Sequence, residues 1–265
     1  MFVVPAGASP EILPPLGEVG LNHAFADALL DGTMTGTLWC DQWPAPHLVH
    51  ALHPYGMSLV WGRVVDAGLG ALIPHLRAGT YRMRDEWLQI DPRWLHLDWD
   101  DLLGVAAGRA EHFHRVNLRF NRAYFESHFP AARLAEGWSL RAMTAAEFDL
   151  PGVCVTPASF WPDAASFLSH GGGICAVKDG VVGAMAFASM RFGNCLEIGI
   201  ETLSPFRGQG VARAVAVGLI HQCLKRGIEP VWACRKENTG SFHLSQSLGF
   251  TVVYEGPFYR LPMPV

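Results

Sequence analysis

The stretch ETLSPFRGQGVA, residues 201–212, decides which fold this chain can adopt. It overlaps the end of the alternating segment LEIGIET (196–202), which predicts a strand, and it leads into VARAVAVGLIHQCLKRG (211–227), whose apolar content predicts a long helix. Backbone N–H groups at the start of a helix lack intrahelical partners and lie at the positive end of its dipole. Since Gly208 and Gly210 let an anion approach the main chain, the stretch predicts a phosphate-binding loop.

Two common phosphate-binding loops do not fit this stretch. A P-loop needs Lys followed by Ser or Thr after its last glycine, whereas Gly210 is followed by Val and Ala. A dinucleotide-binding loop needs Gly or Ala where Arg213 stands, and it needs an acidic residue at the end of the next strand, which EPVWACR does not offer. A third pattern, R-x-x-G-x-A, is present as Arg207, Gly210 and Ala212.

The R-x-x-G-x-A pattern resembles the diphosphate-binding motif of the GNAT superfamily of acyl-CoA-dependent N-acyltransferases. Asn238 and Ser241 precede LSQSLGF as in the second cofactor-side segment of that superfamily, and SFLSHGGGICAVKDGVVGAMAF is similar to its central hairpin. Together these segments lie within residues 138–259. The resemblance implies an α/β (α+β) GNAT fold, in which helices flank a mixed, mostly antiparallel central sheet.

A narrower resemblance is to the GNAT branch that contains zwittermicin A resistance-type acetyltransferases. It is carried by EIGIET, RGQGVA, CLKRGIEPVWAC, and KEN followed by SLGF, and in the first half by a GxxxGxxW segment at Gly32, Gly36 and Trp39. This branch has a smaller N-terminal lobe before the acetyltransferase domain. The first half also faintly echoes the order of elements in the second, which either two unrelated α/β lobes or a degenerate GNAT-like duplication would produce.

The resemblance implies that acetyl-CoA is the cosubstrate. The coenzyme pyrophosphate would bind the amides that open the long helix, and the pantetheine arm would pair with the main chain at the end of LEIGIET. Gly199 would ease the separation of two strands there, and the Leu203 amide is the candidate donor to the thioester oxygen. The residues implied for coenzyme binding are Thr202, Leu203, Arg207, Gly208, Gln209, Gly210, Val211, Ala212, Asn238 and Ser241.

Two carboxylates stand on the strand before the loop. Glu197 and Glu201 are four residues apart, so a strand places both on one face, opposite Ile198 and Ile200. An amine with a pKa near 10 is only about one part in a thousand unprotonated at neutral pH, so a base must accept its proton before it attacks a thioester. Glu197 is the first candidate base, and Glu201 is the second candidate or an anchor for the substrate ammonium. The alternative for either residue is a plain ion pair with Arg or Lys.

The proton donor to the leaving thiolate is less clearly indicated. The superfamily usually has a tyrosine in the helix before the Leu-Gly-Phe turn, and this sequence has Ser245 there. A serine is a poor acid at its ordinary pKa, so Tyr259 and Tyr254 are the substitutes, although each is also typical of a packed strand. The coenzyme strand and loop contain no nucleophilic cysteine; Cys195 is closest, and its acidic neighbour Glu197 disfavours a thiolate.

Length and composition describe an ordinary globular protein. The 265 residues favour two domains, predicted at 1–135 and 136–265. A formal charge of −4 without long charge blocks excludes the basic surface that nucleic acid or anionic lipid requires. The six cysteines lack CxxC or CxxH spacing, so no metal site is predicted. The opening residues lack a signal-peptide pattern and no apolar run reaches about 18 residues, so a cytoplasmic location is expected.

Turn and periodicity signals predict further elements. Thr144 and Glu147 have the spacing of a capping box, and the turn Lys178-Asp179-Gly180 predicts a hairpin.

In the first half, residues 36–62 indicate two strands around a proline turn, and residues 102–129 indicate an amphipathic helix followed by looser structure. His112 and His114 would not share a face of that helix, so they are interpreted as solvated surface residues.

The sequence thus predicts an N-acetyltransferase that moves acetyl from acetyl-CoA to a primary amine of a small molecule, such as an antibiotic or a polyamine, by direct transfer in a ternary complex. Two alternatives stay open. One is acetylation of a protein lysine or N-terminus, which needs an open peptide groove. The other is a noncatalytic sensor that binds acyl-CoA, which Ser245 at the acid position suggests.

Overall fold

The computed structural model describes residues 1–5, 7, 8 and 10–264. The strands, numbered in chain order, are β1 Phe2–Val3, β2 Thr37–Cys40, β3 Leu48–Leu52, β4 Met57–Gly62, β5 Glu86–Ile90, β6 Glu111–Phe120, β7 Ser139–Ala142, β8 Gly173–Lys178, β9 Val181–Phe192, β10 Cys195–Thr202, β11 Glu229–Arg235 and β12 Phe250–Leu261. The helices are α1 Ala24–Leu30, α2 Val65–Ala78, α3 Trp99–Leu103, α4 Arg122–His128, α5 Ala164–His170, α6 Val211–Lys225 and α7 Thr239–Ser247.

The chain forms two compact units. Unit 1 comprises the described residues of Met1–Val116, Arg235–Glu237 and Tyr254–Val265, and unit 2 comprises Asn117–Cys234 and Asn238–Val253. The long strands β6 and β12 contribute residues to both units. The division into domains 1–135 and 136–265, predicted from the sequence, stays a proposal. The first boundary between the two compact units lies earlier in the chain, between Val116 and Asn117 of β6.

Unit 1 is built on a mixed sheet with the order β1-β2-β3-β4-β5-β12. Neighbours run antiparallel except β4 and β5, which are parallel and are connected through α2. Residues 36–62 form three strands, not the predicted two. The extra strand arises because a tight turn ends β3: the His53 N–H donates to the Met57 carbonyl, and Gly56 adopts a φ of 100° that favours glycine.

The core of unit 1 lies between α2 and the sheet. Its apolar side chains come from four strands, β3, β4, β5 and β12, and from α2 and α3, and they include Val60, Leu72, Leu76, Leu88, Ile90, Trp99 and Leu103. Close packing of such a core is the main favourable term that orders these elements.

Residues 111–120 form β6, so the prediction of an amphipathic helix followed by looser structure within 102–129 is wrong. The apolar residues Val116, Leu118 and Phe120 stand at alternate positions, which fits the two-residue period of a strand. The helix assignment failed because histidines and arginines between the apolar residues also satisfy a helical pattern over a short window. A helix, α4, begins only after Asn121, whose side chain accepts a hydrogen bond from the Tyr124 N–H.

Unit 2 is built on strands in the order β11-β10-β9-β8-β7, with β6 beside β11. Neighbours from β7 to β10 are antiparallel, β10 and β11 are parallel, and α6 connects that pair while it packs on β8, β9 and β10. The predicted mixed, mostly antiparallel sheet flanked by helices is confirmed.

Two local predictions in unit 2 are also confirmed. Asp179 and Gly180 both have positive φ, 50° and 80°, as a two-residue hairpin turn between β8 and β9 requires. The Thr144 and Glu147 side chains form the reciprocal hydrogen bonds of a capping box, although the helix they begin is a short 3-10 turn.

Candidate functional site

The parallel strands β10 and β11 separate after three residue pairs. Their register runs from Cys195↔Glu229 to Glu197↔Val231, and within the described residues β10 makes no further ladder pairs with β11. On its other side β10 stays paired with β9 as far as Thr202. Successive residues of a strand direct their main-chain groups to opposite neighbours. A gap therefore opens beside the second half of β10, as the resemblance predicts.

A β-bulge marks the residue where the separation begins. The register between β10 and β9 changes between Glu197 and Ile198, which leaves Ser189 as an extra residue on β9. The Ser189 hydroxyl donates to the Glu197 carbonyl at 3.0 Å, so this backbone group stays satisfied. A bulge bends and twists a strand locally, which helps two neighbouring strands to diverge.

Gly199 has a different role from the predicted one. The bulge lies before Gly199, and a Cβ on Gly199 would stand 2.6 Å from the ring of Phe187 on β9. Phe187 is fully buried. The glycine is therefore needed for close packing of this ring against β10.

The connection from β10 to α6, residues 203–210, presents open main chain. Gly208 and Gly210 have φ of 76° and 78°, and a Cβ on either would meet no heavy atom within 4 Å. No side chain caps α6, and its first turn holds no acidic residue. The first N–H groups of a helix lack intrahelical acceptors, so this helix start can accommodate a diphosphate without a competing carboxylate.

The beginning of this connection is held by aromatic packing. Residues Ser204–Phe206 form a 3-10 turn, and the Phe206 ring meets Trp138 edge-on at 5.1 Å. A Cβ on Gly183 would stand 2.2 Å from the Trp138 ring, so only glycine leaves room for it. The turn is thereby fixed to the core of unit 2, and sequence reasoning missed these contacts because they join segments distant along the chain.

The main chain of Thr202 is held by two charged side chains. Its N–H donates to Glu201 Oε1 at 3.1 Å, and its carbonyl accepts from Arg207 Nε at 3.2 Å. Arg207 Nη2 lies 3.9 Å from Glu201 Oε1, and the Arg207 side chain is 63% exposed. The Thr202 N–H and carbonyl face the gap, because the main chain of the next residue, Leu203, bonds to β9.

The Leu203 amide does not face the gap. Its N–H donates to the Gly183 carbonyl on β9 at 3.0 Å, so its predicted role as the donor to the thioester oxygen is not supported. The alternation of main-chain groups along a strand makes Thr202 the donor on the open edge.

Glu197 and Glu201 lie on one face of β10, as predicted. Residues directly opposite each other on neighbouring strands share a face of the sheet. Ile200 on β10 is opposite Ala186 on β9, which is opposite Ile174 on β8. Ile174 lies 3.2 Å from the position that a Cβ on Gly218 of α6 would take. Ile200 therefore faces α6, and the two glutamates lie on the other face. Glu197 is only 7% exposed.

Ser245 is a structural residue in α7. It is fully buried, and its hydroxyl donates to the Phe242 carbonyl one turn earlier at 2.7 Å. The substitute acids Tyr254 and Tyr259 belong to unit 1, whereas Glu197 belongs to unit 2. Burial and a nearby carboxylate, Asp91 for Tyr254 and the bonded Asp100 for Tyr259, raise both phenol pKa values, that of Tyr254 to about 12. Both shifts make the phenols weaker acids.

The other predicted coenzyme residues serve local structure. Asn238 caps α7 by accepting from the Ser241 N–H at 3.2 Å, and the Ser241 hydroxyl accepts from the Trp232 indole at 3.0 Å. The Gln209 amide donates to the Pro205 carbonyl. Val211 is buried, so only its main chain is open to a ligand.

The described residues contain neither a metal-binding group nor a membrane-spanning helix. No three His, Cys, Asp or Glu side chains among them form a group that could hold a metal ion. None of the helices they form combines the length and the hydropathy of a membrane span.

Comparison with known proteins adds to this geometry. A family model described as GNAT acetyltransferase matches residues 21–259. The uncharacterized N-acetyltransferase YdfB of Bacillus subtilis (strain 168) is 33% identical over 100 residues. That match spans 38% of this chain and 38% of the relative, so the chain covers well under half the length of this curated relative.

Two solved structures have similar folds. A GCN5-related N-acetyltransferase-like protein from Streptococcus suis 89/1591 superposes with a TM-score of 0.66 at 22% identity, over 87% of this chain and 90% of that one. A tandem GNAT protein from the clavulanic acid biosynthesis pathway superposes with a TM-score of 0.62 at 11% identity, over 100% of this chain and 98% of that one. The second likeness supports a GNAT-like fold for both halves, and the zwittermicin-type branch stays a prediction.

Proposed function

Since the chain belongs to the GNAT acetyltransferase family, we propose that it is an acyl-CoA-dependent N-acetyltransferase that moves acetyl from acetyl-CoA to a primary amine of a small molecule. The observation that carries this proposal is the gap beside β10, which lies directly before the uncapped start of α6. An extended thioester arm and a diphosphate need these two features in this order.

Each part of the gap has a proposed role in binding. The amides of residues 208–212 hold the pyrophosphate, and the exposed Arg207 guanidinium adds positive charge. The Thr202 main chain pairs with the pantetheine arm after Glu201 and Arg207 release it. When bound, the coenzyme supplies an activated acetyl thioester.

Glu197 is the proposed base. It is a nearly buried carboxylate on the face of β10 opposite α6, and it accepts the ammonium proton of the acceptor directly or through water. Glu201 is the second candidate or an ammonium anchor, but its contacts with Thr202 and Arg207 support a structural role first.

Direct transfer from thioester to amine is supported by the state of the thiol on β10. Burial, and then the neighbouring Glu229, raise the pKa of Cys195 above its ordinary value, which keeps the sulfur protonated. A protonated thiol is a poor nucleophile, so no acyl-enzyme is expected. Detection of an acetylated enzyme that passes its acetyl group to an amine would contradict direct transfer.

The experiment that tests the function is release of free coenzyme thiol. Purified protein is mixed with acetyl-CoA and, in turn, with polyamines, aminoglycosides and amino-polyol antibiotics. Turnover with one of these amines is the expected result, and an antibiotic acceptor would extend the proposal to resistance. Absence of both acetyl-CoA binding and turnover would overturn the function.

One observation favours a second candidate, a noncatalytic acyl-CoA sensor. Ser245 stands where an acid is expected, and its hydroxyl is buried and engaged. A sensor would be stabilised by acetyl-CoA in thermal unfolding without any turnover across the amine panel.

A further inference from the structure

A second cluster of ionisable side chains lies in a pocket of unit 1. The pocket has a volume of about 510 Å³ and is lined by residues 95, 97–100, 112, 114, 255–257 and 259, all of which belong to unit 1. Small-molecule sites typically have volumes of about 300–1,000 Å³. The pocket is therefore large enough for a metabolite, and it shares no residue with the coenzyme site proposed in unit 2.

Strand β6 brings two oriented histidines to this pocket. His112 and His114 stand two residues apart on one face, with their rings stacked at 5.2 Å. His112 Nδ1 lies 2.9 Å from Asp100 Oδ1, and His114 Nδ1 lies 3.2 Å from Glu237 Oε1. A neutral imidazole that donates through Nδ1 keeps Nε2 as an acceptor. In this neutral form the two stacked imidazoles offer two acceptors side by side.

Asp100 supplies negative charge at the same place. Its Oδ1 also accepts from the Tyr259 hydroxyl at 2.7 Å, and both of its donors are neutral when the imidazole is neutral. Asp98 adds a second carboxylate, and Glu255 is paired with Lys236 at 2.6 Å. No lysine or arginine is among the described lining residues, so the pocket attracts cations.

The walls indicate which kind of cation fits. Leu95, Leu97 and Pro257 offer apolar surface, which suits hydrocarbon rather than a bare ion. The described residues also contain no group of three side chains that could hold a metal ion. The pocket offers carboxylates, two imidazole acceptors and apolar walls. A ligand that complements these groups is an organic molecule rich in N–H donors.

We propose that this pocket binds a small molecule that carries a protonated aliphatic amine. Asp100 provides the counter-charge, and Nε2 of His112 and His114 accept hydrogen bonds from the ligand. The proposal does not depend on acetyl transfer. The competing explanation is that Asp100 serves only to satisfy the hydroxyl of the buried Tyr259.

Calorimetric titration of the full chain with spermidine, without acetyl-CoA, separates these explanations. Saturable binding is expected, and a neutral diol of comparable length should not bind. Asp100→Asn and His112→Gln should each weaken binding about tenfold, as the loss of one charged or oriented contact implies. Asp179→Asn, at an exposed hairpin position in unit 2, is the matched control and should bind like the parent.

Two results would overturn the proposal: no saturable binding, or equal affinity in the parent and in both pocket variants. Thermal unfolding of each variant identifies loss of fold, and His114→Gln serves as the test if Asp100→Asn does not fold, because its partner Glu237 also bonds the main chain. Titration of Arg207→Ala should give the parent affinity for spermidine, so failure of the coenzyme site and failure of this pocket are distinguishable.

Discussion

The two units contain the same arrangement, a strand, a helix and a parallel strand, but only one leaves a gap. In unit 1, β4 and β5 keep register from Met57↔Trp87 to Val60↔Ile90, and two residues connect β4 to α2. In unit 2, β10 and β11 part after three pairs, and residues 203–210 connect β10 to α6. Strand order alone therefore does not make a coenzyme site.

In both units an arginine donates to the last carbonyl of the first strand, but the two arginines are held differently. In unit 1 the Gly62 carbonyl accepts from Arg93, whose guanidinium is bonded at 2.6 Å to the fully buried Asp91. In unit 2 the Thr202 carbonyl accepts from Arg207, whose side chain is 63% exposed and lies 3.9 Å from Glu201. The first arginine is bonded closely to a buried carboxylate, and the second has a longer contact and a more exposed side chain.

The largest expected effect concerns the proposed base, which lies on the strand beside the gap in unit 2. Strand β4, MSLVWG, has no carboxylate, whereas β10 has Glu197. Glu197→Gln should lower kcat about 100-fold by removing the base, with the Kd for acetyl-CoA unchanged. Steady-state kinetics and calorimetry measure the two quantities. Glu126→Gln, at an exposed position of α4, is the control, and an unchanged kcat in Glu197→Gln would rule out this residue as the base.

The next effect compares how much each of the two arginines contributes to the free energy of unfolding. Arg93→Ala leaves the buried Asp91 charge without its partner, which should cost unit 1 about 2 kcal/mol after allowance for the 39% exposure of Arg93. Arg207→Ala should cost less than about 0.5 kcal/mol. Amide hydrogen exchange in β4 and in β10 reports each unit separately. Equal losses of protection in both variants would contradict the distinction.

A smaller effect concerns coenzyme affinity. Arg207→Ala should weaken acetyl-CoA binding about tenfold, because one charge-assisted contact to the pyrophosphate is lost. Arg122→Ala is a matched control, since Arg122 also lies 3.9 Å from a glutamate and is exposed in unit 2. Calorimetry with acetyl-CoA measures both, and equal affinities would remove Arg207 from the site.

The smallest expected effect concerns Ser245. Because its hydroxyl is buried and bonded to Phe242, Ser245→Ala should change kcat by less than about twofold. General acid catalysis is typically worth at least about 100-fold. A loss of that size, with the thermal unfolding temperature kept, would show that Ser245 acts as the acid.

The features predicted from sequence are those encoded within a short segment. The glycine loop between a strand and a helix, the Asp179-Gly180 turn and the capping box at Thr144 each depend on residues a few positions apart. The same reasoning erred on β6, because ten residues with mixed polar and apolar character satisfy both periods until a neighbouring strand selects one. That error concealed His112 and His114 as neighbours on one face.

By itself, the sequence determined the order of elements in the second half, the open main chain at Gly208 and Gly210, and the common face of Glu197 and Glu201. Only the tertiary structure decided where β10 leaves β11, and that Thr202 rather than Leu203 faces the gap. The physical reason is that a strand's hydrogen-bond partners depend on its register with segments far away in the chain, which local patterns do not encode.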